Sequence, residues 1–569
     1  MARIWGPGNE VKTPHIDKLA KDGAIFTNFY TPAPICTPSR ASFMSGLYPK
    51  RTGAHRNIIG QMWQSVKTWA HYLDLLKYQT HYMGKWHLDG DINPGVFSTL
   101  PFKKNTRKFG FNNNFFRFND GHYKFLNIRN KTLQLYTFEE DFEGKDKPDG
   151  IKTHFTTDFL FDNARKEIEN SLKNSEPFAL MLSIPDPHSP NEVRPPYDTM
   201  YGDMDFKIPP SMTSRYQGSN PYPEFADNKL TNGNIKNDVM GHTWPLKTNR
   251  QMKRYENGNK FQNHMSQYFG MVKCIDDNLG NLMNFIKDQG IEDNTIVVFT
   301  SDHGDMLFEH GKINKALPYK SSMGVPFIIK YPKKIPPGKI VETARSHLDF
   351  APTILSLMGV EHNQTFDGED FSDDVLSSQA VVNDESNVVF AAHRGWIAAV
   401  SSRLRLIIGK SYLGLRPWLF DMKIDPRELI NKFDDVQYTD AKELILEKLL
   451  QELNDNKRVF PRKIDPQAIW YWNRTPACMD SRDKVPIDPK YYPAYCSDLG
   501  GKVPMDKCSQ WGVRTQCPVS CNSCCSDTTG QVLYNYGLHN CGDLKDKCHL
   551  DGVKEFCPVT CGYGECTSW

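Results

Sequence analysis

Residues 36–49 of this chain read Cys-Thr-Pro-Ser-Arg-Ala-Ser-Phe-Met-Ser-Gly-Leu-Tyr-Pro and predict the start of a helix that can hold an anion. Thr37 is a suitable N-cap residue, and Pro38 suits the first helical position. Cys36 is then expected at the helix mouth, where free N–H groups and the helix dipole favour negative charge. Arg40, one turn later, can return its guanidinium to the same anion. The alternative interpretation of these residues is a buried structural thiol beside a helix start.

Further short motifs flank this segment and are rich in lysine, histidine and aspartate. They are the stretch 11–30, Gly84-Lys-Trp-His-Leu88, Pro185-Asp-Pro-His-Ser-Pro190, Thr300-Ser-Asp-His-Gly304, Glu309-His-Gly311 and Lys315. Taken singly, a lysine is by default a solvated charge on the surface. A single histidine is by default a surface or core residue whose ring nitrogens have hydrogen-bond partners and no catalytic role. These motifs therefore have to be judged as a set and not one by one.

The pattern of hydrophobic residues predicts an α/β domain with a buried, largely parallel sheet. Segments 177–184, 295–300 and 325–330 have the composition of core strands, and 268–289 has helical spacing that ends before Gly290. Residues 91–150 and 190–260 have little periodicity and are interpreted as long surface insertions. Farther along, a strand is expected at 397–409 and a helix at 441–454, which together suggest a smaller α+β subdomain.

The motifs from residue 1 to about 430 resemble, in the same order, those of the type I sulfatases, whose hallmark is C-x-P-S-R. Because the whole set occurs in the family's order, chance is a negligible explanation of the resemblance. The resemblance implies an alkaline-phosphatase-like α/β fold with a large mixed, mostly parallel sheet between helices. It implies hydrolysis of a sulfate ester, with a sulfated carbohydrate as the expected substrate. It also implies that a formylglycine-generating enzyme converts Cys36 to formylglycine, whose hydrate attacks sulfur to give a covalent sulfate hemiacetal.

The same resemblance assigns roles to individual residues. Arg40, Lys85 and Lys315 would surround the sulfate with fixed positive donors. His188 would be the general acid for the leaving alcohol, and His87 would assist the hydrate or its collapse. Cys274 and His310 receive no catalytic role.

Asp302 and His303 would bind one divalent cation, Ca²⁺ rather than Mg²⁺, which polarises the nucleophile and the sulfate oxygens. Sulfatases also carry paired aspartates on a first strand, about twenty residues before the segment that starts here at Val11. No such pair precedes Val11 in this sequence, and no signal peptide is present at its start. We therefore expect that the sequence is truncated at its N-terminus; a degenerate sulfatase is the alternative, and the activity of this exact chain depends on which holds.

The cysteines are concentrated near the C-terminus. Of 14, only Cys36 and Cys274 precede residue 470, and twelve lie between Cys478 and Cys566. This tail resembles a pair of six-cysteine ShKT modules, which act as extracellular accessory domains and imply a partner outside the cell. Such a disulfide framework requires an oxidising compartment, so the protein is expected to be secreted or lumenal, the lysosome included. Sequons at Asn130, Asn363 and Asn473 agree with a glycoprotein.

The expected domains are a catalytic domain over 1–385, an α+β subdomain over 386–460, a linker over 461–477, and modules at 478–524 and 525–566. Lysine plus arginine (69) and aspartate plus glutamate (67) almost cancel, and no basic stripe is present, which excludes nucleic acid as a partner. The apolar runs fall short of the roughly 18 residues of a membrane span.

Two other functions are compatible with these residues. A phosphatase or phosphonate hydrolase of the same superfamily would share the scaffold. A binding protein without catalysis would keep the sulfate pocket and use the tail for adhesion.

Overall fold

The structure is a computed structural model that describes residues 11–57, 60–90, 108–114, 116–119, 123–129, 132–136, 154–207, 209–213, 260–377, 385–393, 395–409, 417–433, 435–456, 460, 532–534 and 537–539. The chain divides into two compact units. The first comprises residues 1–214 and 227–391, and the second comprises residues 215–226 and 392–569. The predicted linker and both ShKT-like modules lie outside the described residues, except for the two short strands of the tail.

The described helices vary in length from single turns to one of 29 residues. They are Pro14–Asp22, Cys36–Ser45, Pro49–Thr52, Trp69–Leu75, Thr156–Lys173, Pro210–Thr213, Lys260–Asp288, Lys320–Met323, Phe350–Leu357, Ser372–Leu376 and Thr439–Asp455. Short 3₁₀ turns cover Glu292–Asn294, Glu309–Gly311, His347–Asp349 and Val436–Tyr438. None of these helices combines the length and the apolar character that a membrane crossing requires.

The described strands are short and fall into six sheets. They are Ala24–Phe26, Phe29–Tyr30, Gln79–Lys85, Arg117–Phe118, Phe125–Arg129, Thr132–Tyr136, His154–Phe155, Phe178–Ser183, Val297–Thr300, Phe327–Lys330, Lys339–Val341, Arg345–Ser346, Val389–His393, Trp396–Val400, Leu404–Gly409, Trp418–Asp421, Val532–Tyr534 and Gly537–His539.

Two sheets of the first unit position the candidate site. In one, Gln79–Lys85 pairs in parallel with both Arg117–Phe118 and Phe178–Ser183. In the other, Ala24–Phe26 pairs in parallel with Lys339–Val341 and antiparallel with Phe327–Lys330. These mixed pairings give an α/β fold, as the hydrophobic pattern predicts, although the described strands form several small sheets in place of one large sheet.

Aromatic side chains fill the core beneath these sheets. The rings of Phe29 and Phe327 stack with their centroids 4.0 Å apart, and Phe26 meets Phe327 edge-on at 5.2 Å. All three residues are fully buried. Because burial of one such side chain contributes about 1.5–3 kcal/mol, this cluster is a major stabilising element of the unit.

The long helix Lys260–Asp288 completes a neighbouring helix. The helix Pro14–Asp22 has no side-chain cap of its own. Its first N–H groups, those of His15 and Ile16, instead donate to Oδ1 of Asp276 at 3.0 and 2.9 Å. A buried carboxylate from one helix therefore caps another that is more than 250 residues away in sequence, and joins the two.

Several sequence predictions are confirmed with shifted ends. The core strands expected at 177–184 and 325–330 occur as Phe178–Ser183 and Phe327–Lys330, and the expected helix at 268–289 begins earlier, at Lys260. The strand expected at 295–300 occurs as Val297–Thr300, but its recorded partner, Phe327–Lys330, runs antiparallel, so the prediction of a parallel strand here is wrong.

The second unit contains the antiparallel strands Trp396–Val400, Leu404–Gly409 and Trp418–Asp421 and the helix Thr439–Asp455, which is the helix expected at 441–454. The single strand predicted at 397–409 is wrong: it is a hairpin of Trp396–Val400 and Leu404–Gly409. Oγ of Ser401 accepts hydrogen bonds from the N–H groups of Arg403 and Leu404 at 3.3 and 2.9 Å. A serine side chain thus stabilises the turn without glycine or proline.

Candidate active site

The helix Cys36–Ser45 brings Cys36 to its first position, but its start differs from the prediction. The N-cap is Ile35 in extended conformation, without a side-chain cap. Thr37 is inside the helix: its N–H donates to Oδ1 of Asn57 at 2.9 Å, and its hydroxyl donates to the carbonyl of His87 at 2.8 Å. The prediction that Thr37 is the N-cap is therefore wrong, because its hydroxyl is used to bind another segment of the site.

Three nitrogen atoms converge on Sγ of Cys36, which is buried. Nζ of Lys315 lies 3.1 Å from Sγ, Nε2 of His303 lies 3.3 Å away, and Nζ of Lys85 lies 3.4 Å away. Burial alone would raise the pKa of the Cys36 thiol, but Lys315, Lys85 and His303 together hold that pKa well below its usual value. The pocket is built to stabilise negative charge at residue 36.

Lys85 ends the strand Gln79–Lys85, and its backbone is fixed by three donors. Its carbonyl oxygen accepts hydrogen bonds from Tyr82 Oη at 2.5 Å, from Ser183 Oγ at 2.7 Å and from Nη1 of Arg40 at 2.8 Å. The side chain is buried, and this burial lowers the pKa of its ammonium group, against the opposing effect of Cys36. The three bonds orient the peptide that carries Lys85 toward the thiol.

His87 lies just past this strand in a left-handed backbone conformation, with φ of 59°. Burial lowers the pKa of its imidazole, although a hydrogen bond with Cys36 acts in the opposite direction. Nδ1 is buried and has no hydrogen-bond partner among the described residues. Left-handed conformation in a residue other than glycine is strained and is frequent at functional sites.

Arg40 binds the carboxylate of Asp302. Its Nε donates to Oδ2 of Asp302 at 2.9 Å, and its Nη1 donates to Oγ of Ser183 at 2.7 Å. Burial would raise the pKa of Asp302, but His303 and Arg40 lower it below its ordinary value. The cations around Asp302 therefore favour its ionised form.

The residues Asp302 and His303 are suited to part of a divalent-cation site. One carboxylate oxygen of Asp302, one ring nitrogen of His303 and Sγ of Cys36 all lie within 4.8 Å of one another. Nδ1 of His303 lies 2.8 Å from the carbonyl of Gly304, so Nδ1 carries the hydrogen and Nε2 is left as the ligand atom. Ca²⁺ takes six to eight oxygen ligands, so this pair provides a minority of the set it requires.

His188 and Lys315 reach the site from loops. Nδ1 of His188 donates to the carbonyl of Ser189 at 2.6 Å, which leaves Nε2 to exchange a proton, and a hydrogen bond from His188 helps to lower the pKa of the Cys36 thiol. Lys315 lies between two residues with positive φ, Asn314 and Ala316. All eight residues that the motifs predict as site residues thus belong to the first unit, and Cys36 interacts with Lys85, His87, His188, His303 and Lys315.

The structure adds residues that carry no predicted role. Ser39 donates to the carbonyl oxygen of Asp302 and lies 3.1 Å from Nδ1 of the buried His347. Ser183 binds Arg40, and Lys124 is a buried cation near His188. Ser39 belongs to the C-x-P-S-R motif and could have been singled out; the other three stand in no motif and are placed by contacts distant in sequence.

Two family models match this chain, with overlapping ranges. Residues 7–360 match the family model described as Sulfatase, and residues 308–456 match the model described as N-sulphoglucosamine sulphohydrolase, C-terminal. An N-acetylglucosamine-6-O-sulfatase of Bacteroides thetaiotaomicron is 26% identical over 502 residues, which cover 79% of this chain and 84% of that protein. A choline-sulfatase of Rhizobium meliloti is 28% identical over 445 residues, which cover 75% of this chain and 78% of that protein.

A solved structure shares the fold. A protein in complex with its substrate D-glucosamine-2-N,6-O-disulfate superposes with a TM-score of 0.63 at 22% identity, covering 79% of this chain and 94% of that one. The match with the Sulfatase model extends over more than half of the chain and includes Cys36, Lys85, His188, Asp302 and Lys315.

Proposed function

Because this chain belongs to the sulfatase family, we propose that its substrate is a sulfate ester of a sugar and that Cys36, converted to formylglycine, is its nucleophilic residue. As a sulfatase, the protein is a sulfuric ester hydrolase. The observation that carries the proposal is the convergence of Lys85, Lys315 and His303 within 3.4 Å of Cys36 Sγ. In the mature enzyme, the oxygens of a formylglycine hydrate would take the place of this sulfur.

The two lysines are the proposed sulfate-binding groups. A sulfate ester on its way to transfer carries negative charge on its non-bridging oxygens. Nζ of Lys85 and Nζ of Lys315 are positioned to donate to those oxygens beside the buried Cys36, and charge-assisted hydrogen bonds are stronger in a buried site than in water. Arg40 has a different task, since its guanidinium is occupied by Asp302, Ser183 and the carbonyl of Lys85.

The two histidines are the proposed proton carriers. His188 would give the proton of Nε2 to the oxygen of the departing alcohol, because its Nδ1 is already committed to the carbonyl of Ser189. His87, whose pKa is lowered by burial, would accept a proton from the nucleophilic hydroxyl. A sugar alcohol is a poor leaving group, so the proton from His188 matters most for such a substrate.

Asp302 and His303 are the proposed ligands of a divalent cation such as Ca²⁺. The bound cation would supply Lewis-acid polarisation, and the formylglycine hydrate would supply the nucleophilic oxygen. Arg40 would keep Asp302 ionised and oriented for that cation, and the hydrogen on Nδ1 of His303 would keep Nε2 available.

The choice of a sugar sulfate rests on relatives. A relative named for an N-acetylglucosamine-6-O-sulfatase activity and a solved complex with a sulfated glucosamine each match this chain over 79% of its length. A 6-O-sulfated N-acetylglucosamine is therefore the first substrate to test.

The proposed arrangement of the chain is a catalytic domain followed by an α+β subdomain and, in the secretory pathway, two disulfide-bonded modules at 478–524 and 525–566.

The test is an assay of the full chain co-expressed with a formylglycine-generating enzyme. Mass spectrometry of the peptide that contains Cys36 should reveal the aldehyde, and the protein should release sulfate from N-acetylglucosamine 6-sulfate. Cys36→Ala should abolish release, whereas Cys274→Ala, which changes the other described cysteine, should retain it. Sulfate release that survives Cys36→Ala, or faster hydrolysis of 4-nitrophenyl phosphate than of 4-nitrophenyl sulfate, would contradict the proposal.

A further inference from the structure

Lys124 lies in the core, although the sequence places it within an expected surface insertion. The residue is 1% exposed, and its Nζ donates to Oδ1 of Asp186 at 2.5 Å and to the carbonyl oxygen of His188 at 2.6 Å. A buried ammonium group is costly unless its donors are satisfied by good partners. Both of these partners belong to the loop that carries the proposed acid.

Asp186 is fixed from its other side by a helix. Its Oδ2 accepts a hydrogen bond from the hydroxyl of Thr157 at 2.5 Å, and Thr157 is fully buried in the first turn of Thr156–Lys173. The N-terminus of a helix favours a nearby carboxylate. The N–H of Thr156 in turn donates to the carbonyl of Lys124 at 2.8 Å, so the lysine backbone and the helix start are joined as well.

These contacts define the position of the His188 peptide. Lys124 binds the carbonyl of His188 itself, Asp186 is two residues earlier, and the N–H of His188 donates to the carbonyl of Pro185 at 3.1 Å. A loop without regular structure is thereby held by a buried ion pair and by a turn. The side chain of His188 starts from a backbone with little freedom to move.

We propose that Lys124, Asp186 and Thr157 form a positioning clamp that sets the proton-donating nitrogen of His188 for departure of the alcohol. This inference rests on the proposed function, in which His188 is the general acid. When the S–O bond of the ester breaks, its electron pair stays on the ester oxygen. That oxygen takes the Nε2 proton of protonated His188 and leaves as an alcohol, while the sulfuryl group is transferred to the nucleophile.

The clamp predicts a dependence on the leaving group. Two substrates separate the effects: 4-nitrophenyl sulfate, whose phenolate leaves without a proton, and N-acetylglucosamine 6-sulfate, whose alkoxide requires one. General acids contribute about 10²- to 10⁴-fold to rate, so misplacement of His188 should lower kcat/KM for the sugar sulfate by about 100-fold. The aryl sulfate should change by about threefold or less if only proton delivery is affected.

The variants avoid leaving a lone buried charge, which would endanger folding. Lys124→Met combined with Asp186→Asn removes both charges at similar volume, and Thr157→Val removes only the hydroxyl that binds Asp186. His188→Gln is the reference for loss of the acid. Lys330→Met is the matched control, because it removes another buried lysine that pairs with Glu292 and Asp22 outside the proposed machinery.

The clamp variants and His188→Gln should all lose kcat/KM for the sugar sulfate and keep most of it for the aryl sulfate. Adding His188→Gln to the Lys124→Met, Asp186→Asn double variant should lower kcat/KM for the sugar sulfate no further. Lys330→Met should not discriminate between the substrates. Equal losses on both substrates in the clamp variants, beside a selective loss in His188→Gln, would overturn the clamp alone. If the parent chain, with Cys36 converted, released sulfate from neither substrate, that result would overturn the proposed function instead.

Discussion

Nζ of Lys315 lies 3.1 Å from Sγ of Cys36, and the Cys36 thiol is buried. In the unconverted chain this contact stabilises the thiolate, together with Lys85 at 3.4 Å. The positive charge that would bind the oxygens of a sulfate can therefore be measured before Cys36 is converted, from the pKa of the Cys36 thiol.

The first prediction concerns Lys315→Met in the unconverted chain. Loss of the ammonium group should raise the pKa of the Cys36 thiol, because the thiolate loses its strongest electrostatic partner while burial continues to disfavour it. Thiolate reactivity should then disappear at a higher pH than in the parent. Alkylation of Cys36 by iodoacetamide at pH 7, followed by peptide mass spectrometry, should slow by about tenfold.

Lys333→Met serves as the control for Lys315→Met, since Lys333 is exposed and its Nζ donates to Oδ1 of the exposed Asn294 at 3.4 Å. Its pH profile of alkylation should match that of the parent. An unchanged profile in Lys315→Met would mean that this lysine does not stabilise the thiolate.

Arg40→Lys should separate charge from geometry. Arginine binds Asp302, Ser183 and the carbonyl of Lys85 at once, and the single ammonium group of lysine cannot reproduce that planar set of donors. We expect kcat/KM for 4-nitrophenyl sulfate to fall by about 100-fold. Arg51→Lys, at a salt bridge where the arginine side chain is 46% exposed, should have little effect. Near-parent activity of Arg40→Lys would show that positive charge alone suffices.

Local motifs predicted which side chains lie close together better than they predicted the sheets. The C-x-P-S-R segment and the lysine of Gly84-Lys-Trp-His-Leu88 converge on one sulfur because each motif combines a fixed local turn with a reactive side chain. The hairpin at Trp396–Val400 and Leu404–Gly409 was missed because Ser401, with its side chain bound to backbone N–H groups, provides the turn. Hydrophobicity alone does not mark such a turn.

Partners distant in sequence account for the other omissions. Lys124 lies in a polar segment without periodicity, and only the fold brings it to Asp186, 62 residues away. His347 meets Ser39 across 308 residues for the same reason. The antiparallel pairing of Val297–Thr300 with Phe327–Lys330 was also missed, since buried strands of either orientation can have continuous apolar sequence.

His347 should make the fold sensitive to acid. Burial lowers the pKa of its imidazole to about 3, from an ordinary value of 6.5. Between pH 6.5 and pH 3, His347 is protonated in the unfolded chain but neutral in the folded chain. The free energy of unfolding is therefore unaffected by His347 above pH 6.5 and decreases as the pH falls toward 3. Between pH 7 and pH 5 the parent should lose about 2 kcal/mol of unfolding free energy through this residue.

Urea unfolding of His347→Gln at the two pH values measures that contribution. The variant should lose less stability than the parent between pH 7 and pH 5, whatever its stability at pH 7. His55→Gln, which changes an exposed histidine, should keep the parental dependence. Equal pH dependence in parent and His347→Gln would contradict the assignment.

Gly84→Ala should damage both fold and site, because Gly84 precedes Lys85 in a conformation that requires glycine. Its φ is 92°, and a Cβ atom there would lie 1.9 Å from the carbonyl oxygen of Ser183, on the paired strand. We expect a loss of about 3 kcal/mol in unfolding free energy and a fall in activity as the strands separate near Lys85. Gly290→Ala is the matched control: φ is 69° but nothing lies within 4 Å of the added Cβ, so only the backbone term of about 1 kcal/mol applies. Similar losses of unfolding free energy in Gly84→Ala and Gly290→Ala would show that the strands can make room for the added Cβ at Gly84 without a further loss of stability. The position of Lys85 would then not depend on this close contact.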